Sequence, residues 1–309
     1  MKKHTLVLSL VAFCFTVFLV SCQKDNKGDQ DNINDEATTQ SDDQSQISAQ
    51  IDDVSSEIAA GLESTGTLAA RGQEMMDVCG ITFTADSSNA TRTLTLTYNG
   101  PDCYNRYNRT GVVTVSIPAG VHWKNAGAVI TVTYQNLKFT NIANNRSITI
   151  NGSHTLTNVT GGLLWQLATL NTITHRINSS GMTVKFGNGN ERTWQVARQR
   201  VFTYNNGLVL TITGLHTEGN ITGVSEWGTN RNGRPFVSAI AEPLVIRQDC
   251  SFRLTSGKVT HTLPNFNAAA TFGLNQAGSP TGCPGAGHYY VKIEWAITNG
   301  ASQSGLYPY

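Results

Sequence analysis

The chain has 309 residues, 39% hydrophobic and 14% charged, with 22 Lys or Arg set against 21 Asp or Glu for a net charge of +1. That balance lacks the broad positive surplus by which proteins hold nucleic acid, and no nucleic-acid partner is expected. The charges are segregated along the chain, however, and the segregation marks its organisation.

Lys2 and Lys3 precede a largely apolar run of fifteen positions, Leu6 to Val20. This is the layout of a secretory signal, too short for a comfortable permanent span. At its end the chain turns abruptly polar, and Leu19-Val20-Ser21-Cys22 resembles the lipobox of bacterial lipoproteins. The resemblance implies that residues 1–21 are cut away as a lipoprotein signal peptide, taking Cys14 with them. It also implies that Cys22 is lipidated on its thiol and acylated at its new amino terminus, with palmitate-class chains. Each methylene buried in the bilayer contributes roughly 0.8 kcal/mol, so several long chains make a durable membrane anchor. An ordinary signal peptide with a chance cysteine is the alternative. Gln23-Lys24-Asp25 is similar to the acid-rich export signal that carries Bacteroidetes lipoproteins to the outer face of the outer membrane, although Asn26 and Lys27 interrupt it. The resemblance implies display at the cell exterior; a tether facing the periplasm is the bland alternative.

Residues 22–77 form an acidic tether. Positions 23–77 carry thirteen Asp or Glu against Lys24, Lys27 and Arg71, a net of about −10. Few large apolar residues occur before Ile47, so the first part is predicted to be disordered. Twenty such residues span about 25 Å on average. From about 45 to 62 the pattern changes: Ile47, Ile51, Val54, Ile58 and Leu62 fall on one helical face. Five apolar positions predict a short amphipathic helix lying against its own β domain, in preference to one that docks a partner.

Residues 78–309 differ in kind, with seventeen Lys or Arg against eight acids, a net of about +9. Their period is two almost throughout. Leu94, Leu96 and Tyr98 alternate with threonines, as do Ile130 and Val132; Val113, Val115 and Ile117 alternate with Thr114 and Ser116. Near the end Tyr289, Val291, Ile293, Trp295 and Ile297 line one face, and Trp295 reads as core. Such alternation predicts antiparallel strands with one buried and one wet face. Turns are expected at Asn99-Gly100-Pro101, Asn151-Gly152, Gly161-Gly162, Asn205-Asn206-Gly207 and Asn232-Gly233. The fold class expected is all-β: an elongated antiparallel meander or sandwich of about 12–14 strands. A membrane-spanning barrel is disfavoured because Pro308 breaks the final alternation and the apolar faces are short.

Four cysteines remain in the exported domain: Cys79, Cys103, Cys250 and Cys283. An even number in an oxidising compartment argues for disulfides, and four allow three connectivities. Pairing Cys79 with Cys103 and Cys250 with Cys283 is favoured because each pair brackets a local hairpin. Chain entropy gives each bridge at most about 3.5 kcal/mol. Both brackets share a layout of cysteine, two strands, turn, cysteine and strand, over 79–117 and 250–297, so a related three-stranded unit is expected near each end of the domain. Arg109-Thr110-Gly111-Val112-Val113-Thr114-Val115, then Val129-Ile130-Thr131-Val132-Thr133, then Ile150-Asn151-Gly152-Ser153-His154-Thr155-Leu156-Thr157-Asn158 resembles a group of secreted and lipid-anchored Bacteroidetes surface proteins. That resemblance implies the architecture and no activity.

The domain has no Gly-x-Ser-x-Gly elbow, His-Glu-x-x-His motif or phosphate-binding loop. No cysteine pair has metal-ligand spacing and its histidines are scattered, so neither a metal nor a cofactor is expected. Glu218 and Glu226, with Trp227 beside the second, are the nearest approach to a paired-carboxylate glycosidase site; two solvent-facing loop acids is the plainer reading. Arg192, Trp194, Arg198 and Arg200 share one strand parity and form a candidate binding face for a polysaccharide or anionic polymer. The alternative is a Trp covering the sheet with arginine stems packed over it. The functional expectation is a lipid-anchored outer-membrane binding or structural module without catalytic activity; the alternative is a glycan-processing enzyme or glycan-binding accessory lipoprotein. The sequence leaves the oligomeric state unknown.

Overall fold

The computed structural model describes residue 39, a set of helical positions from 43 to 62, and residues 74–309 apart from 78, 87–90, 180, 265 and 298–301. Cys22, the signal segment and the first part of the tether lie outside the described residues.

The domain is all-β, and its strands are antiparallel. In chain order they are β1 (Glu74–Asp77), β2 (Ile81–Asp86), β3 (Thr91–Pro101), β4 (Tyr107–Pro118), β5 (Ala128–Asn141), β6 (Ser147–Asn158), β7 (Thr172–Ser179), β8 (Met182–Phe186) and β9 (Glu191–Tyr204). They continue as β10 (Leu208–Gly214), β11 (His216–Glu218), β12 (Ile221–Thr229), β13 (Pro235–Arg247), β14 (Arg253–Leu263), β15 (Phe266–Leu274), β16 (Tyr290–Ile297) and β17 (Ser302–Pro308). Strands β1 to β6 pair in sequence, and so do β13 to β17. No pairing joins β1 to β17 among the described residues.

Among the described residues there are seventeen strands, more than the expected 12–14, because the meander splits twice. One half of β6 pairs with β7 and the other with β8, and β9 then spans both. Next, β9 pairs with β10 along one half and β12 along the other, and β13 spans that pair. Two short strands laid end to end occupy the width of one long strand, which alternation alone does not register.

Period-two patterning gives the buried faces directly. Leu94, Leu96, Val113, Val115, Ile130 and Val132 are fully buried in one core. On β5 the parity then changes: Ile130, Val132 and Tyr134 give way to Leu137 and Phe139 on the same buried face. A bulge accounts for the change. The β5–β6 register shifts between Tyr134 and Leu137, and Asn136 takes φ 50°. Its neighbour across the sheet must be glycine, since a Cβ on Gly111 would lie 2.4 Å from the Asn136 carbonyl oxygen. Asn151 supplies the bond the bulge leaves open, its Oδ1 accepting from the Asn136 N–H at 2.7 Å. Asn151-Gly152 is therefore mid-strand in β6, not the turn its composition suggests. Asn205-Asn206-Gly207 and Asn232-Gly233 do fall between strands.

The described residues between 39 and 62 are helical (α1). Ile47, Ile51, Val54, Ile58 and Leu62 are all buried, in the same core as the inner face of β2–β9. Each such side chain contributes about 1.5–3 kcal/mol when fully buried. The helix therefore lies against its own sheet and forms the second layer that a one-sided sheet requires. One end of this layer is closed by a 3-10 turn (Leu164–Gln166) running into a single-turn helix, α2 (Leu167–Leu170). Leu167 packs there with Ile173 and Phe202.

The disulfides are Cys79–Cys103 and Cys250–Cys283. Each fastens the start of one strand to the loop two strands later, and β2-β3-β4 and β14-β15-β16 have the same consecutive order. The second unit is much less covered. Tyr289 and Val291 are buried, but Trp295 is only partly so. The expectation of a core tryptophan fails there because, among the described residues, no further layer packs over β16 beyond its small local cluster.

Candidate functional site

The four residues of the predicted binding face come together on β9, but the face is turned inward beneath α1. Successive strand residues alternate sides, so Arg192, Trp194, Arg198 and Arg200 share a side with Val196. Arg192 is 1% and Trp194 2% exposed. Trp194, Arg198 and Arg200 line a small cavity with Ser48 and Ile51 of α1 and with His154, Ile177 and Met182 of the sheet.

Acids meet arginines around this face from two sources. Within the sheet, buried Glu226 of β12 forms an ion pair with Arg198 and accepts a hydrogen bond from the Ser48 hydroxyl at 3.1 Å. From α1, Asp43 pairs with Arg231, whose Nε donates to Oδ2 at 2.8 Å. Further along the helix, Glu57 accepts from Arg109 Nη1 at 2.6 Å and from the Tyr98 hydroxyl at 2.8 Å. Arg109 also donates to the Cys79 carbonyl at 2.9 Å and lies over the Tyr98 ring. Asp53 approaches Arg106 at 3.9 Å. Three acids of α1 thus meet three arginines of the β domain, Arg109 on β4 and Arg106 and Arg231 in loops. Residues 43, 53 and 57 gave no local signal for this, but the opposed charges of the tether and the domain did.

Electrostatics follow from burial. Loss of solvent lowers the Arg192 guanidinium to about 10; Asp43 opposes the shift and Arg231 adds to it. Arg192 also lies 4.5 Å from the Phe236 ring centroid and Arg231 4.2 Å from that of Phe186, which gives each buried cation an aromatic face. His154 and His175 are lowered to about 4, first by burial and then by the charge of Arg200. His261 is lowered to about 4 by burial and by Arg192, and its Nδ1 meets the Ser238 hydroxyl at 2.7 Å. Burial and the Glu57 carboxylate raise the Tyr98 phenol well above its usual value. These histidines stay neutral near pH 7. Among the described residues, Trp194 Nε1 and Glu226 Oε2 are buried without a hydrogen-bond partner.

The Glu218 and Glu226 pair does not share a face. Glu226 points toward Arg198 and Ser48 in the interior. Its neighbour Trp227 faces the other way and stacks on His216 with centroids 3.9 Å apart; His216 in turn meets the exposed Glu218 at 3.0 Å. A glycosidase pair would have to flank one substrate from a single cleft. One grouping of metal-ligand residue types occurs among the described residues, Asp249 with Cys250 and Cys283, but both sulfurs are joined in the disulfide.

Among the described residues no helix is long and apolar enough to cross a membrane. Compared with known proteins, the chain matches no family model, no curated sequence and no solved structure.

Proposed function

We propose that this is a lipid-anchored outer-membrane protein, facing the cell exterior, whose β domain is a binding or structural module without catalytic activity. The observation that supports the module reading best is the occupation of the inner face of β2–β9. The side of β2–β9 where a substrate cleft would lie is filled by five apolar side chains of α1, with Asp43 and Glu57 paired to arginines around them. Binding would then use the outer face, an edge or the loop ends. The anchoring reading rests on Leu19-Val20-Ser21-Cys22 and the polar seam after it.

Two measurements test the anchoring. Labelled palmitate should enter the full chain and be absent from a Cys22→Ala variant; equal labelling of both would reject lipidation at that residue. Protease shaving of intact cells should remove the β domain, and survival of the domain until the outer membrane is permeabilised would place it in the periplasm.

A further inference from the structure

Trp165 is the most exposed of the large apolar side chains among the described residues, at 70%, ahead of Tyr104 at 59%; at its own end of the sheet Tyr204 is 50% and Leu170 45% exposed. The segment that presents Trp165 is firmly built. The Gly162 N–H bonds the Lys124 carbonyl at 2.7 Å, and the Asn158 side chain donates to the carbonyls of Trp123 and Gly162. The Leu163 N–H donates to the Gln166 side chain at 3.0 Å. Behind the tryptophan, Leu167 is buried against Phe202. Tyr204 lies two residues beyond Phe202 on β9 and so shares its side of the strand. An aromatic held outward by a fixed loop is presented, not left over from packing.

The two segments that carry the aromatics are uncharged and the charges beside them are few: exposed Lys124 at Gly162, and Arg247 opposite Val209, which is ion-paired to Asp249. Residues 159–174 and 201–209 contain no Asp, Glu, Lys or Arg, in a domain whose net charge is about +9. Exposed neighbours are amides: Asn171, Asn205 and Asn206. An anionic polymer would call for clustered Lys or Arg, and so would an anionic bilayer surface. Flat aromatic faces beside amide donors and acceptors suit a ligand with apolar C–H faces and a rim of hydroxyls.

We infer that this edge, around Trp165 and Tyr204, binds neutral polysaccharide, with sugar rings lying on the two aromatic faces and hydroxyls reaching the amides. The inference rests on the binding-module reading above and gives that module a ligand class. It also moves the ligand away from Arg192, Trp194, Arg198 and Arg200, which α1 covers.

The test is native affinity electrophoresis of the full chain in detergent, in gels containing mannan, dextran or hydroxyethylcellulose. At least one should retard the protein. Trp165→Ala should weaken that interaction about tenfold with an unchanged melting temperature, because the ring is solvent-facing. Tyr204→Ala should weaken it severalfold and Arg176→Gln should leave it unchanged. No retardation in any gel, or retardation indifferent to Trp165→Ala, overturns the inference. Trp165-dependent flotation of the Cys22→Ala chain with phosphatidylcholine vesicles, without sugar binding, would make the edge a membrane contact and also overturn it. Palmitate labelling and shaving report on the anchoring whichever way these gels turn out, so the two failures are distinguishable.

Discussion

The two ends of the meander carry similar disulfide-bracketed units, yet they are stabilised differently. Around β2–β9 the inner face is covered by α1, and strand residues such as Leu94, Val115 and Ile150 are completely buried. Along β14–β17 no helix lies over the sheet among the described residues, and the local cluster of buried residues is Ala270, Phe272 and Val291. Both regions are continuously paired and both carry register shifts, at Tyr134/Leu137 in one and Thr271/Leu274 in the other, so the presence of a ladder does not separate them. What separates them is whether a second layer excludes water from one face. The lesson is that α1, though part of the acidic tether by composition, belongs energetically to the domain.

The contrast can be broken by substitution. Ile58→Asp places a charge in the shared core, and should unfold the β2–β9 region or cost at least about 4 kcal/mol in a urea melt. Ile58→Ala should cost about 2–5 kcal/mol, whereas Ile293→Ala in the partly exposed β16 should cost about 1 kcal/mol or less. Equal losses would remove the distinction between the two regions.

Acid should weaken the covered region through two histidines, while β14 carries one, His261, with a downward shift to the same value. His154 and His175 have folded values near 4 against an ordinary 6.5, so the unfolded chain binds more protons between those limits. Their contribution is complete above about pH 6.5 and is lost as pH falls toward 4, by up to about 3 kcal/mol each. Thermal melts between pH 7 and 4 check the direction, and a His154→Gln variant should flatten the slope. A melting temperature that rises on acidification would contradict the assignment.

Breaking one ion pair gives a smaller effect. Glu57→Gln leaves Arg109, 3% exposed, with a neutral partner in place of a carboxylate, and should cost about 2–3 kcal/mol. Arg106→Gln, at the half-exposed Asp53 contact, should cost less than about 1 kcal/mol. A double-mutant cycle between Glu57 and Arg109 should show coupling, and additivity would mean the helix acids are not what orders it.

Much of the fold was legible in the sequence because a half-buried strand writes its burial in alternate residues. Leu94, Val113 and Ile130 declared their faces, α1 declared its own at spacing 3.6, and the cysteines paired as their brackets suggested. The bulge at Asn136 was not legible, because an inserted residue shifts parity and Asn151-Gly152 then mimics a turn. The direction of the β9 arginines was hidden for another reason. Arginine at alternate positions reads as a wet face unless its carboxylates are known, and one that serves this region, Asp43, lies far upstream on α1 while Glu226 arrives through sheet topology. Trp165 was one tryptophan among five until the loop that holds it outward was in view.

Whether α1 is a structural layer of the domain is measured directly by backbone hydrogen exchange of the full chain. Amides of residues 46–58 should be protected to nearly the same degree as those of β3–β5, and more strongly than those of β17. Exchange of 46–58 at the rate of an unstructured tether would contradict the account, and would leave the arginine-lined face of β9 open as the binding surface.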